Sequence, residues 1–219
     1  TNTFIISYTH EGRAFLLFCL FSLMFINEYM SVNQSIEKHT NKNFKYLLLF
    51  ILSFLLLNTF IFSFLILGSI FFFEIFFNKN KDSYKFILVI FFSTILFILL
   101  NYQFLINLLN LNSSILQLGK DFYYNFYFRQ FFGSKIMGLT FSLIFVWSIF
   151  KILRSNKINK NISLILFIIL FSYLIPILYG FLITPVLQDK YIIYLLPLII
   201  LIISYPTTHL IKDKKANTL

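Results

Sequence analysis

The sequence predicts an all-α protein, a polytopic transmembrane helical bundle of about seven membrane passes that includes one short helical hairpin. Three observations lead there. Of the 219 residues, 59% are hydrophobic and only 12% charged, far outside soluble usage. Long apolar runs recur along the chain, and most are closed by lysines. The net charge of +10 is spread in small groups between those runs instead of lining one soluble face, which suits a membrane and argues against nucleic acid as a partner. Residues 1–219 read as a single transmembrane domain.

Taken in order, Thr1 to Tyr8 has neither the basic start nor the cleavage site of a signal peptide. The chain opens on Thr, and the expectation is a fragment of a longer protein, with a processed N-terminus as the alternative. Ala14 to Met30 is the first spanning run, and Ser31 to Asn43 reads as a polar loop. Phe44 to Phe77 is too long for one pass of about 20 residues and short for two. Lysines flank it on both sides (Lys38, Lys42 and Lys45, then Lys79, Lys81 and Lys85), so both ends belong on one side and the number of passes is even. A tight hairpin turning near Asn58 and Thr59 satisfies this. Phe86 to Leu109 crosses back, with Asn101, Gln103 and Asn107 marking its polar end.

Asn110 to Lys135 is expected to be external. If Lys120 to Phe132 is helical, Asp121, Asn125 and Arg129 fall on one stripe, opposite Tyr123, Tyr124, Tyr127 and Phe131, and the helix would lie in the interface plane. An aromatic belt around a loop is the equal alternative. Ile136 to Phe150 returns to a basic loop, Ile162 to Ile183 crosses out with Pro176 and Gly180 expected to kink or break its outer half, and Ile192 to Ser204 goes back in. Lys212, Lys214 and Lys215 then form a cytoplasmic tail. In this topology 13 of the 18 Lys and Arg are cytoplasmic, leaving Arg13, Lys120, Arg129, Lys135 and Lys190 outside. The expected location is the plasma (inner) membrane.

Residues that break the positive-inside bias are the candidates for chemistry. Thr184 to Pro197 packs Gln188, Asp189, Lys190 and Tyr191 between two apolar runs, and the outer face also gathers His10, Glu11, Arg13, Asp121 and Arg129. The plain account is structural: Lys and Tyr anchor helices at the interface, and Glu11 pairs with Arg13 or a lipid headgroup. Cys19 is the one cysteine, so no intrachain disulfide forms. Nothing resembles a Gly-rich phosphate loop or a Ser or Cys nucleophile, and His10, His39 and His209 lack metal-ligand spacing, so neither a metal nor a cofactor is expected.

Two short motifs carry a resemblance. Thr184, Pro185, Val186, Lys190, Tyr191 and Pro197 are similar to the late "P-V-x-x-x-R-Y … P" element of GT-C glycosyltransferases, with Lys190 where that family has Arg. Tyr8, Glu11 and Arg13 match the "Y-x-x-E-A-R-x-Y" start of a central helix in the bacterial enzymes of the protein-mannosyltransferase type, with Gly12 for Ala and Phe15 for the second Tyr. The order of parts agrees as well: this motif, a helix, a basic loop, a hairpin with a polar turn, then the late element.

GT-C enzymes, which include protein mannosyltransferases and aminoarabinose transferases, take a sugar from a polyprenyl-phosphate donor. The resemblance therefore implies a membrane glycosyltransferase acting on the external face toward a lipid, glycan or protein acceptor. Its partners would be the polyprenyl-phosphate-linked sugar and membrane lipids. Glu11, Arg13, Lys190 and Tyr191 would be its substrate-binding residues. Arg13 would grip phosphate with its bidentate fork, Lys190 would act as a point charge, and Glu11 would orient Arg13. The family's catalytic base is an acidic residue in the first external loop. No position here matches it, so it is expected upstream of Thr1 along with two or more apolar segments, and residues 1–219 alone are expected to be inactive. The alternative is a non-enzymatic membrane protein, such as a transporter or flippase component, or a polysaccharide polymerase. A transporter should show pseudo-symmetry and charged or broken helices near mid-membrane, and only Glu28 and Glu74 approach that.

Overall fold

The computed structural model describes residues 15–37, 43–77, 83–103, 105–106, 134–154, 159–182 and 193–216. Those residues form seven α-helices and no strand: α1 (Phe15–Glu37), α2 (Asn43–Thr59), α3 (Ser63–Phe76), α4 (Ser83–Leu100), α5 (Lys135–Arg154), α6 (Lys160–Leu182) and α7 (Leu195–Ala216). The proposed surface helix at 120–132 lies outside them.

Several helix ends have a local reason. The Asn58 and Thr59 side chains turn back onto the carbonyls of Phe54 and Leu56, at 2.8 and 2.7 Å, and compete with the backbone ladder. The ladder ends there. Phe60 to Phe62 make the turn, closed by Ser63 N–H to Phe60 O at 3.0 Å and Leu65 N–H to Phe62 O at 3.0 Å, and α3 begins. The hairpin is thus present at the expected place. Ser134 caps α5 by accepting from Met137 N–H at 3.2 Å, and Asn159 precedes α6 and accepts from Asn161 N–H at 3.0 Å.

Three expectations are corrected. The stretch from Ser31 to Glu37 is the last part of α1 rather than loop. It contains no Gly or Pro, Val32 and Asn33 continue the buried stripe, and Lys45 Nζ donates to Ser31 Oγ at 2.7 Å. Polar side chains alone do not stop a helix. The Pro176 position does not end α6, which runs on to Leu182. In the same way α7 continues past Ser204 and through Pro206 to Ala216, so the expected lysine tail is helical.

α1 packs on α2, α2 on α3 and α4, α3 on α1, α4 and α6, and α7 on α5 and α6. Along α1 the buried positions Phe18, Ser22, Phe25, Ile26, Tyr29 and Val32 recur at helical spacing, while Leu16, Leu17, Leu20 and Met24 are exposed. α3 and α6 run antiparallel: Phe73 and Phe77 meet Phe167 at 5.8 and 5.5 Å, and Phe72, further up α3, meets Phe171 at 5.5 Å. This gives the bundle two distinct ends. The hairpin turn, the start of α1 and the end of α6 lie at one, and Lys45, Lys85, Lys160 and Glu74 at the other.

The outer surface of the helices is apolar, with Phe44, Phe91, Leu99, Leu143, Val146 and Leu178 among its exposed side chains. Three helical segments are long and apolar enough to cross a membrane: Phe15–Asn33, Ile136–Arg154 and Lys160–Tyr179. α2 and α3 have 17 and 14 residues. At 1.5 Å per residue they reach about 25 and 21 Å, short of a hydrocarbon core of roughly 30 Å.

Candidate functional site

The substrate-binding residues expected from sequence, Glu11, Arg13, Lys190 and Tyr191, lie outside the described residues, as do Asp121, Arg129 and Asp189. The described flanks of both motifs nonetheless meet. Phe15 and Ile193 form one buried cluster, with Phe60 of the hairpin turn and Cys19 packed against it. Phe60 stands edge-on to Phe15 at 5.3 Å and tilted against Phe18 at 5.4 Å, and Phe18 meets Tyr194 at 5.2 Å. Aromatic rings at these separations and angles place ring edges on ring faces, which fixes the approach as well as burying area.

Two peptide units separate Arg13 from Phe15, and two separate Tyr191 from Ile193. Phe15 and Ile193 lie at the turn end of the bundle. Asn101 also reaches this end, its Nδ2 donating to Asn58 Oδ1 at 3.3 Å and to Phe97 O at 3.1 Å.

Beside the cluster is an open, mainly apolar groove of about 410 Å³, lined by Ile61, Phe62, Phe64, Leu65, Ile175, Pro176 and Tyr179. It lies between the hairpin turn and the last turns of α6, and α6 leads from it into the 184–191 segment. An open apolar groove suits the hydrocarbon part of a ligand.

A second polar group occupies the opposite end. The Tyr29 hydroxyl on α1 donates to Glu74 Oε1 on α3, both side chains buried. Phe86 lies against Tyr29 at 4.9 Å and against Tyr46 at 5.4 Å, and Lys85 Nζ sits 5.9 Å from the Tyr46 ring centroid and 5.8 Å from that of Tyr84. The sequence singles out Glu74 only as an acid near a helix end. That Glu74 stands in an otherwise apolar helix was the available signal, but no sequence spacing couples it to Tyr29, 45 residues away.

Among the described residues no group of His, Cys, Asp and Glu could hold a metal ion. The chain matches no protein-family model, no curated protein and no solved structure.

Proposed function

We propose that the protein is a seven-pass membrane glycosyltransferase that moves a sugar from a polyprenyl-phosphate donor to a lipid, glycan or protein acceptor at the turn end of the bundle. The observation that supports this reading is the packing together of Phe15, Phe60 and Ile193, of which Phe15 and Ile193 each stand two residues in sequence from a motif residue, Arg13 and Tyr191. Lys45, Lys85 and Lys160 stand at the opposite end, and the positive-inside bias makes that end cytoplasmic and the turn end external.

In the reaction the acceptor oxygen attacks the anomeric carbon, the bond from that carbon to the phosphate oxygen breaks, and the phosphate leaves with the electron pair while a base takes the acceptor proton. Arg13 and Lys190 neutralise the departing phosphate, and the groove along Phe62 and Pro176 receives the hydrocarbon chain. The test is transfer from a panel of radiolabelled polyprenyl-phosphate sugars in membranes containing the protein. Arg13→Ala and Lys190→Ala should each lower transfer about tenfold or more, because charge-assisted contacts to a buried anion are worth roughly 2 kcal/mol. Lys190→Arg should retain most of it. Normal transfer by both alanine variants would remove the phosphate assignment.

The buried Tyr29–Glu74 pair favours a second reading, a transporter or flippase component, since an intramembrane carboxylate is the usual mark of an ion or proton path. Translocation of a labelled polyprenyl-phosphate sugar across vesicles, lost in Glu74→Gln with no sugar transferred by either form, would select it.

A further inference from the structure

Four of the buried serines in these helices share one habit; Ser63, Ser148 and Ser172 depart from it, and of these Ser172 has a second buried hydroxyl beside it. Ser22, Ser53, Ser69 and Ser93 each donate to a carbonyl one turn back in their own helix: Phe18 O at 2.6 Å, Phe50 O at 2.9 Å, Ile66 O at 2.7 Å and Ile90 O at 2.9 Å. That is how a hydroxyl is satisfied inside an apolar bundle. Ser172 on α6 is 0% exposed, yet its Oγ makes no such bond. Beside it lies the Tyr194 hydroxyl, from the turn that begins α7, also 0% exposed and also without a completed hydrogen bond.

The third member is on the backbone. Pro176 stands four residues after Ser172 inside α6 and has no N–H, so it cannot supply the helical bond that the Ser172 carbonyl would receive. The carbonyl without its helical donor thus belongs to the same residue as the unpaired Oγ, beside which the Tyr194 hydroxyl lies. Prolines in membrane helices are tolerated where side chains or ordered waters satisfy the released carbonyl again. Leaving such groups unpaired in an apolar interior costs about 1–3 kcal/mol each.

We propose that Ser172 Oγ, the Ser172 carbonyl and the Tyr194 hydroxyl form a binding site for one buried water, which bridges α6 to the start of α7. The water donates to the Ser172 carbonyl and to one hydroxyl oxygen and accepts from the other hydroxyl, three bonds in all, the usual number for a buried water. The site ties together the two helices that flank the 184–191 segment, at a point where Phe18 of α1 also packs on Tyr194.

The test is radiolytic footprinting of the full chain in nanodiscs, in which hydroxyl radicals made from bound water oxidise side chains next to it. Tyr194 should be modified on the order of tenfold faster than Phe25, an equally buried ring in the core, because only Tyr194 has water beside it. In Ser172→Val, which fills the site with a methyl group, Tyr194 modification should fall to the Phe25 rate. Tyr194 modified no faster than Phe25 overturns the proposal, and so does fast modification that Ser172→Val leaves unchanged. Thermal unfolding gives a second reading. Ser172→Ala and Tyr194→Phe should each lower the melting temperature if water bridges the groups, and an unchanged or raised value in either variant means an unfilled site and overturns it.

Discussion

Tyr29 and Glu74 join α1 to α3 through a hydrogen bond from the phenol to the carboxylate, with each side chain only 1% exposed. A carboxylate inside an apolar bundle is expensive unless donors surround it, so the pair specifies which faces of the two helices meet. Tyr29→Phe should destabilise the protein by about 2–4 kcal/mol, because it removes a donor and leaves the carboxylate buried. Glu74→Gln should cost less, since an amide oxygen still accepts from the phenol. Denaturation in detergent monitored by circular dichroism measures both, and equal stability of Tyr29→Phe and the parent would show that the bond does not hold the helices.

The proposed topology, with the lysine-rich end cytoplasmic, predicts the sidedness of single residues. Single cysteines at Asn58 and Asn101, in a Cys19→Ser background, should react with an impermeant thiol reagent added from outside. Cysteines at Lys45, Lys85 and Arg154 should react only after permeabilisation. Asn58 and Lys45 reacting from the same side would mean that α2 does not cross.

Phe60 is the residue through which the hairpin turn holds the start of α1, by its contacts at 5.3 Å with Phe15 and 5.4 Å with Phe18. Phe60→Ala should cost about 2–3 kcal/mol in stability through lost area and ring contacts. Under the proposed function it should also lower sugar transfer more than Phe60→Leu does, because Phe15 loses its ring contact. Transfer unchanged in a folded Phe60→Ala protein would disconnect this cluster from function.

Gly68 lies where α3 approaches α6. A Cβ there would stand 3.5 Å from Phe171 Cε1 and 3.8 Å from its Cζ, ordinary contact distances. Gly68→Ala should therefore be neutral or stabilising by up to about 1 kcal/mol through helix propensity. Gly68→Leu should destabilise by roughly 1–3 kcal/mol as its branched end meets the Phe171 ring. Melting temperatures of the two variants decide it, and a large loss in Gly68→Ala would mean that the helices sit closer than this.

The sequence by itself determined the helical class, the apolar runs and the break at Asn58 and Thr59, because these depend on composition and on side chains acting on their own backbone. It misplaced the ends of α1 and α7, where polarity suggested a stop that an intact ladder overrides, while its end for α6 at Ile183 lies one residue from the observed Leu182. The residues proposed for substrate, Glu11, Arg13, Lys190 and Tyr191, were legible only as motifs. That Phe15 and Ile193 lie together was decided by tertiary packing with Phe60, a contact that spans the chain almost from start to finish. The partnership of Tyr29 with Glu74, and of Ser172 with Tyr194, likewise belongs to the tertiary structure. Pairings between distant helices depend on which faces pack, and in a chain this uniformly apolar the hydrophobic pattern marks no single face for burial.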